Sequence, residues 1–270
     1  LHKAIRRQRQ MCIRDSIMTT KKQEKIKFSK AFWVANTVEL FERAAYYGVF
    51  IVITLYLSRI LGFNDIQAAS IAGIFSACLY LLPTFAGALA DKIGFRNSML
   101  LAFTLLTCGY LGLAVYPTWL QSAGLVEYST TTTFTGLLES NLQYGIIPIM
   151  ALIVCGGAFI KSVISGTVAK ETTPETRAKG FSIFYAMVNI GAFSGKTIVK
   201  PLREALGNEG LITLNYFSAS MTFLALLAIW FFYKSAQHSG EGKTFGQIWN
   251  ALIKVCSNGC LLYTSDAADE

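Results

Sequence analysis

Three ionisable side chains and two phenols fall within ten residues of an otherwise apolar stretch, "ELFERAAYYG", residues 39–48. The sequence before it reads AFWVANTV and the sequence after it VFIVITLYL. Helical steps of three and four residues put side chains on one face, so Glu39, Glu42, Arg43, Tyr46 and Tyr47 form a single polar stripe. Each ionisable group turned to lipid costs at least ~2.5–3.5 kcal/mol on insertion scales, so the stripe must face protein or water. Two chemistries fit it. Glu39 and Arg43, at i and i+4, make a static pair that helps helices associate. Alternatively, the acids and the base mark a proton or ion path.

Such a stripe needs a scaffold. Apolar runs of around twenty residues are transmembrane helix candidates, and there are six, at 31–60, 67–90, 98–117, 145–169, 179–199 and 211–233. At 1.5 Å per residue the first is about 45 Å long, so it tilts, kinks or protrudes. Asn64 and Asp65 read as the N-terminal cap of the second. The polar segment after Met18 lacks a cleavable signal peptide.

Orientation follows from the distribution of Lys and Arg between loops. One side carries Lys21, Lys22, Lys25, Lys27 and Lys30, then Lys92 and Arg96, then Lys170, Arg177 and Lys179, and finally Lys234 and Lys243. The other has no basic residue in 61–69 or 118–144, and Lys200 and Arg203 beyond the fifth run. This predicts a multi-pass protein of the cytoplasmic or inner membrane with a cytosolic N-terminus. The threonine-rich 118–144 segment reads as an extracytosolic loop. The segment KTFGQIWNALIKVCSNG, 243–259, lies on the membrane surface or begins a seventh span.

Counting 1.5 Å per residue from the cytosolic side places Glu42 and Arg43 about 17 Å deep, Lys161 about 12 Å, and Tyr80 and Asn189 about 15 Å. Polar residues from four helices are therefore expected to converge near the midplane of a hydrocarbon layer about 30 Å thick.

The ends read differently. RRQRQMCIRDS, residues 6–16, and CLLYTSDAADE, residues 260–270, can be encoded by opposite strands of one DNA, like a sequencing adaptor translated at both ends. Residues 1–17 and 260–270 are read as non-native, Met18 as the natural start, and the native chain as cut near Gly259. Net charge is +8 and stays strongly positive without the tails. In a soluble chain that would point to nucleic acid; here hydrophobic residues make up 53% and no nucleic-acid partner is expected. Cys78, Cys108 and Cys155 lie in apolar runs without metal-ligand spacing and read as small buried hydrophobes.

ELFERAAYYG resembles the E-x-x-E-R signature on helix one of the proton-dependent oligopeptide transporter family, part of the major facilitator superfamily. GALADKIGFRNSMLL resembles the superfamily's second-to-third loop signature, with Gly87, Asp91, Gly94 and Arg96 in place, and GFSIFYAMVNIGAFSG resembles the peptide family's fifth-helix signature. The resemblance covers essentially all of 31–233. It implies an all-α membrane protein, a six-transmembrane-helix bundle forming the N-terminal half of the superfamily fold, and proton-coupled import of di- and tripeptides. It further implies proton coupling by Glu39, Glu42, Arg43 and Lys161. Substrate binding is implied for Tyr46, Tyr47, Tyr80, Lys161 and Asn189, and gating for Gly87, Asp91, Gly94 and Arg96.

On this reading residues 18–30 are a cytosolic basic tail, and 234–259 a cytosolic linker or the start of a seventh helix. Partners are small peptides, protons, lipid and a second bundle supplied by the rest of the chain. No cofactor beyond the coupling proton is implied. One position departs from the family: Phe50 stands where an arginine is common. That keeps a second function open, proton-coupled transport of another organic anion. A third, from another class, is a polytopic membrane protein that does not transport; no Ser/His/Asp set, His/Asp metal pair or phosphate-binding glycine loop supports an enzyme.

Overall fold

The computed structural model describes residues 27–125 and 141–233. The proposed adaptor tails, most of the basic tail, the 234–259 segment and most of the threonine-rich loop lie outside them.

All the described regular structure is helical: α1 (Lys30–Phe50), α2 (Ile53–Arg59), α3 (Asp65–Leu81), α4 (Pro83–Ile93), α5 (Phe95–Ser122), a short 3-10 turn (Asn141–Gly145), α6 (Ile146–Lys170), α7 (Arg177–Leu206) and α8 (Glu209–Phe232). Ser29 caps α1, its hydroxyl accepting from Phe32 N at 3.1 Å, and the same hydroxyl donates to Glu171 at 2.5 Å. The start of α1 is thereby tied to the end of α6. The expected cap of the second run is present: Asn64 accepts from Gln67 N, and Gln67 reaches back to Asn64 N.

The first two apolar runs are each broken. α1 and α2 meet at 44°, and α3 and α4 at 47°. At the first break Val52 leaves helical geometry, at φ −117° and ψ 4°. At the second, Pro83 opens α4; it has no N–H to continue the ladder, and its ring crowds the preceding turn. The long first run therefore kinks.

Among the described residues three helices are long and apolar enough to cross a membrane, or up to five spans if each bent pair is one. Helix α7 corresponds to the fifth run and falls short of that standard. At 30 residues it is long enough, but it carries Arg177, Lys179, Lys196, Lys200, Arg203 and Glu204. Of the six runs expected from the sequence, five therefore meet that standard at most.

The bundle is held by close approaches of backbone. α1 packs on α7 and α8, α5 on α6 and α8, and α4 on α6. Without a water-driven hydrophobic effect between helices in lipid, small residues that admit such contact carry the packing. A Cβ on Gly195 would lie 2.3 Å from Ala44 O, and one on Gly191 2.5 Å from Leu40 O. Between the helices runs a core that includes Phe32, Tyr56, Leu57, Met99, Phe103 and Leu106. Outward faces carry large exposed apolar side chains, among them Ile74, Trp119, Trp230 and Phe231, as lipid-facing surfaces do.

The cysteine expectation is corrected here. Cys108 and Cys155 are exposed and Cys78 is half-buried, all three as free thiols. An apolar solvent removes the need to bury a small hydrophobe inside the protein.

Candidate functional site

The polar stripe of α1 folds inward. Glu39, Glu42 and Arg43 are 5%, 3% and 9% exposed, although each is ionisable. Arg43 Nε lies 3.0 Å from Glu39 Oε1 and 2.6 Å from Glu42 Oε2. Both contacts are ion pairs without hydrogen-bond alignment at Nε. Helix α7 covers this turn, since a Cβ on Gly191 would meet Arg43 Cβ at 2.8 Å. Two carboxylates and one guanidinium leave one negative charge in excess, and a buried charge demands compensation. A proton on one acid or a nearby cation meets that demand.

The cation is Lys161, on α6. Glu39, Glu42 and Arg43 all act on it electrostatically, yet it is in no ion pair among the described residues. Instead its Nζ donates to Leu79 O at 3.1 Å and sits 4.0 Å from the centre of the Tyr80 ring. The local cause is Pro83. The helical donor for Leu79 O would be the N–H of residue 83, which proline lacks. The break in the second run thus leaves a free acceptor, and Lys161 takes it. Next to it, Ser162 Oγ donates to Pro83 O at 2.6 Å.

Aromatic rings continue the stripe. Arg43 lies 5.5 Å from the Tyr46 ring centre. Tyr46 meets Tyr47 edge-on at 5.2 Å and stacks on Phe50 at 4.9 Å. The Tyr46 hydroxyl is buried without a hydrogen-bond partner. Lys196 Nζ, from α7, lies 4.8 Å from the Tyr47 ring centre.

The structure brings Glu39, Glu42, Arg43, Tyr46 and Tyr47 together on α1, with Lys161 and Tyr80 beside one another. It does not bring Asn189 to the charge cluster. Asn189 is exposed and sits two residues from Gly191, roughly 200° around the helix from the face packed on α1. Tyr80 is 68% exposed, so the side bearing Tyr80 is open.

The four loop residues serve the α4–α5 corner. A Cβ on Gly87 would press on Ser162 at 3.3 Å, and Gly94 turns the chain at φ +91°. Arg96 donates from Nε to Tyr233 O at 3.1 Å and from Nη2 to Trp230 O at 3.3 Å. It thereby closes the C-terminal carbonyls of α8, where a cation is also favoured by the helix dipole. Asp91 is half-buried and makes no hydrogen bond or ion pair among the described residues.

Three polar residues escaped the sequence reading. Asn36, three residues before Glu39 on the same face, is fully buried with its Oδ1 unpartnered; helical spacing alone would have found it. Tyr110 on α5 is 2% exposed. Lys196 is the third. Lys196 meets α1 across helices, and no spacing within the sequence encodes that.

Kinked helices with outward apolar faces, wrapped around an inward ion cluster, define a multi-pass membrane protein whose charged residues are turned to its interior. The chain belongs to the Major Facilitator Superfamily, whose sequence profile matches residues 35–263. It is 26% identical over 231 residues to dipeptide and tripeptide permease B of Yersinia enterocolitica, covering 84% of this chain and 41% of the permease. To dipeptide and tripeptide permease A of Salmonella typhi it is 31% identical over 171 residues, covering 61% and 29%.

Among solved structures, one from work on substrate recognition in proton-dependent oligopeptide transporters superposes with TM-score 0.61 at 23% identity, covering 83% of this chain and 46% of that one. Peptide transporter POT in complex with sulfate gives 0.60 at 22%, covering 88% and 46%. These likenesses share the fold. The chain spans under half the length of the relatives and structures it matches, and the motif resemblance drawn above points to the same relatives.

Proposed function

We propose that this chain is the N-terminal half of a proton-coupled symporter that imports di- and tripeptides. The observation that carries the reading is the buried excess charge: two carboxylates against one arginine, with Lys161 in electrostatic range but held on Leu79. Protonating Glu42 removes the excess. It also leaves Arg43 and Lys161 with cationic capacity for a substrate carboxylate, so proton and substrate binding are linked. The relatives named as dipeptide and tripeptide permeases support this substrate class.

Within the same proposal, residues 31–233 are six spans, with α1–α2 and α3–α4 as two bent spans and α7 as a fifth whose charges face a wet interior. The N-terminus is cytosolic. Tyr46, Tyr47, Tyr80, Lys161 and Asn189 line the peptide site, whose other wall is a second bundle. Gly87, Asp91, Gly94 and Arg96 gate at the cytosolic ends. Residues 1–17 and 260–270 are non-native, 18–30 a basic tail, and 234–259 a linker or the start of a seventh helix. Secondary transport, rather than enzymatic catalysis, is the activity.

Phe50, stacked on Tyr46, favours one second reading: the same machinery carrying another organic anion. The test is uptake into proteoliposomes by the complete transporter. Glu42→Gln should abolish uptake driven by a pH gradient while counterflow exchange persists. Undiminished proton-driven uptake in that variant would remove Glu42 from the mechanism. Competition of labelled dipeptide by unlabelled peptides, and not by other organic anions, separates the two substrate classes.

A further inference from the structure

The polar stripe of α1 begins one turn before its charges. Asn36 is fully buried and stands three residues before Glu39, on the face that carries the ion cluster. Its Nδ2 donates to Phe32 O at 2.8 Å. Its Oδ1 is buried with no hydrogen-bond partner among the described residues. The reverse orientation of the amide would set Oδ1 against Phe32 O, two acceptors facing each other, so Phe32 fixes which end is left over. A buried acceptor without a donor carries its full desolvation penalty.

We propose that Asn36 is the positioning residue of a second proton site: its Oδ1 accepts the O–H of Glu39 when that acid is protonated. As a station for the coupling proton this rests on the symporter reading; as a hydrogen bond between two side chains it stands apart from it.

The geometry singles out Glu39 as the donor. Helical side chains lean toward the N-terminal turn, which carries the Glu39 carboxyl toward residue 36 as it carries Arg43 toward Glu39. Arg43 Nε lies 3.0 Å from Glu39 Oε1, and Oε2 is left for a proton. While Glu39 is ionised, its Oε2 and Asn36 Oδ1 are both acceptors. A proton on Oε2 turns the opposed pair into donor and acceptor. Glu42 is placed otherwise: it lies 2.6 Å from Arg43 and roughly 9 Å farther along the helix than Asn36.

Other donors are poorly placed. Phe32 and Leu40, four residues either side of Asn36, carry none, and Trp33 is 46% exposed. The charged groups in range of Glu39 are Arg43 and Glu42 on α1 and Lys161 on α6, and Lys161 is held on Leu79 O. Phe32 is itself fully buried and stacks on Phe28 at 4.2 Å, closing the turn on the other side against water. The cluster then has two proton positions around one guanidinium. A proton passed from Glu42 to Glu39 restores the Glu42–Arg43 ion pair and closes the Glu39–Asn36 bond, with no change in the charge of the cluster.

The test is infrared difference spectroscopy of the complete transporter, carrying 13C-labelled glutamate, between neutral and acidic buffer. The bands of protonated Glu39 are assigned by their loss in Glu39→Gln. Asn36→Leu, close in shape, and Asn36→Ala, which leaves space, both remove the acceptor. Each should move the Glu39 C=O band to higher and its C–OH band to lower wavenumber, because an O–H donor bond weakens the first and strengthens the second. The inference is overturned if neither variant moves the two bands in opposite directions, if Glu39 gives no protonated band on acidification, or if Asn36→Leu abolishes an O–H band that responds to 18O-labelled water, which would make the donor a bound water. A lower Tm with both bands unmoved makes Asn36 a packing residue and overturns it equally. The readout needs no transport. Paired shifts alongside undiminished proton-driven uptake in Glu42→Gln remove Glu42 from the coupling and leave this bond standing, whereas unmoved bands with that uptake lost remove the bond alone.

Discussion

Lys161 donates its ammonium to the carbonyl oxygen of Leu79, 82 residues earlier in the chain and 3.1 Å away. Pro83 makes this possible by withholding the N–H that would otherwise occupy that oxygen. The α3–α4 bend and the placement of the α6 cation are therefore one feature. It keeps Lys161 on the α6 side of the charge cluster without an ion pair to the carboxylates of α1, which on the symporter proposal leaves that charge free to change partners.

Replacing Pro83 by Ala restores the missing donor, and alanine is favoured over proline inside a helix by about 3 kcal/mol. The α3–α4 bend should relax and Lys161 should lose its acceptor. The expected result is a protein of equal or higher Tm that takes up substrate more slowly. Unchanged uptake in proteoliposomes would mean the bend does not set the position of Lys161.

Arg43→Gln leaves Glu39 and Glu42 buried against one another without their cation. Removing one partner of a buried ion pair typically costs 3–5 kcal/mol, so thermal unfolding in detergent should begin well below that of the parent. Adding Glu39→Gln and Glu42→Gln should recover most of the loss, because no uncompensated charge remains. Failure of the triple variant to recover would show that Arg43 acts through packing.

Gly191 and Gly195 hold α7 on α1. Gly195→Val places a side chain where Ala44 O already lies within 2.3 Å of a Cβ, and overpacking of this kind costs about 1–3 kcal/mol or more. Gly73 is a control in the same fold, since a Cβ there meets nothing within 4 Å. Gly73→Ala should raise stability by up to about 1 kcal/mol through helix propensity. Equal effects of the two substitutions on Tm would contradict the crossing.

Arg96 closes the end of α8 through the carbonyls of Trp230 and Tyr233. Arg96→Ala should fray that end, seen as faster amide exchange in the last turn of α8, with a global loss of about 1 kcal/mol. On the gating proposal it changes transport rate more than substrate affinity. A pure affinity effect would move Arg96 out of the gate.

Some of this was legible in the sequence and some was not. Apolar run length announced a membrane protein, because the hydrocarbon layer imposes a fixed span. The spacing of Glu39, Glu42 and Arg43 announced one shared face, because helical geometry is local and regular. Asn64 announced a helix start through the backbone donors it satisfies. Each of these depends on residues within one or two turns of each other.

What the tertiary structure alone decided involves residues far apart in the chain: Lys161 on the carbonyl freed by Pro83, Lys196 over Tyr47, and the Cys108 and Cys155 thiols outside the core. Those meetings depend on where helices cross and how closely glycines let them approach. A crossing angle leaves no period in the sequence, so the stripe could be read from it but its partners could not.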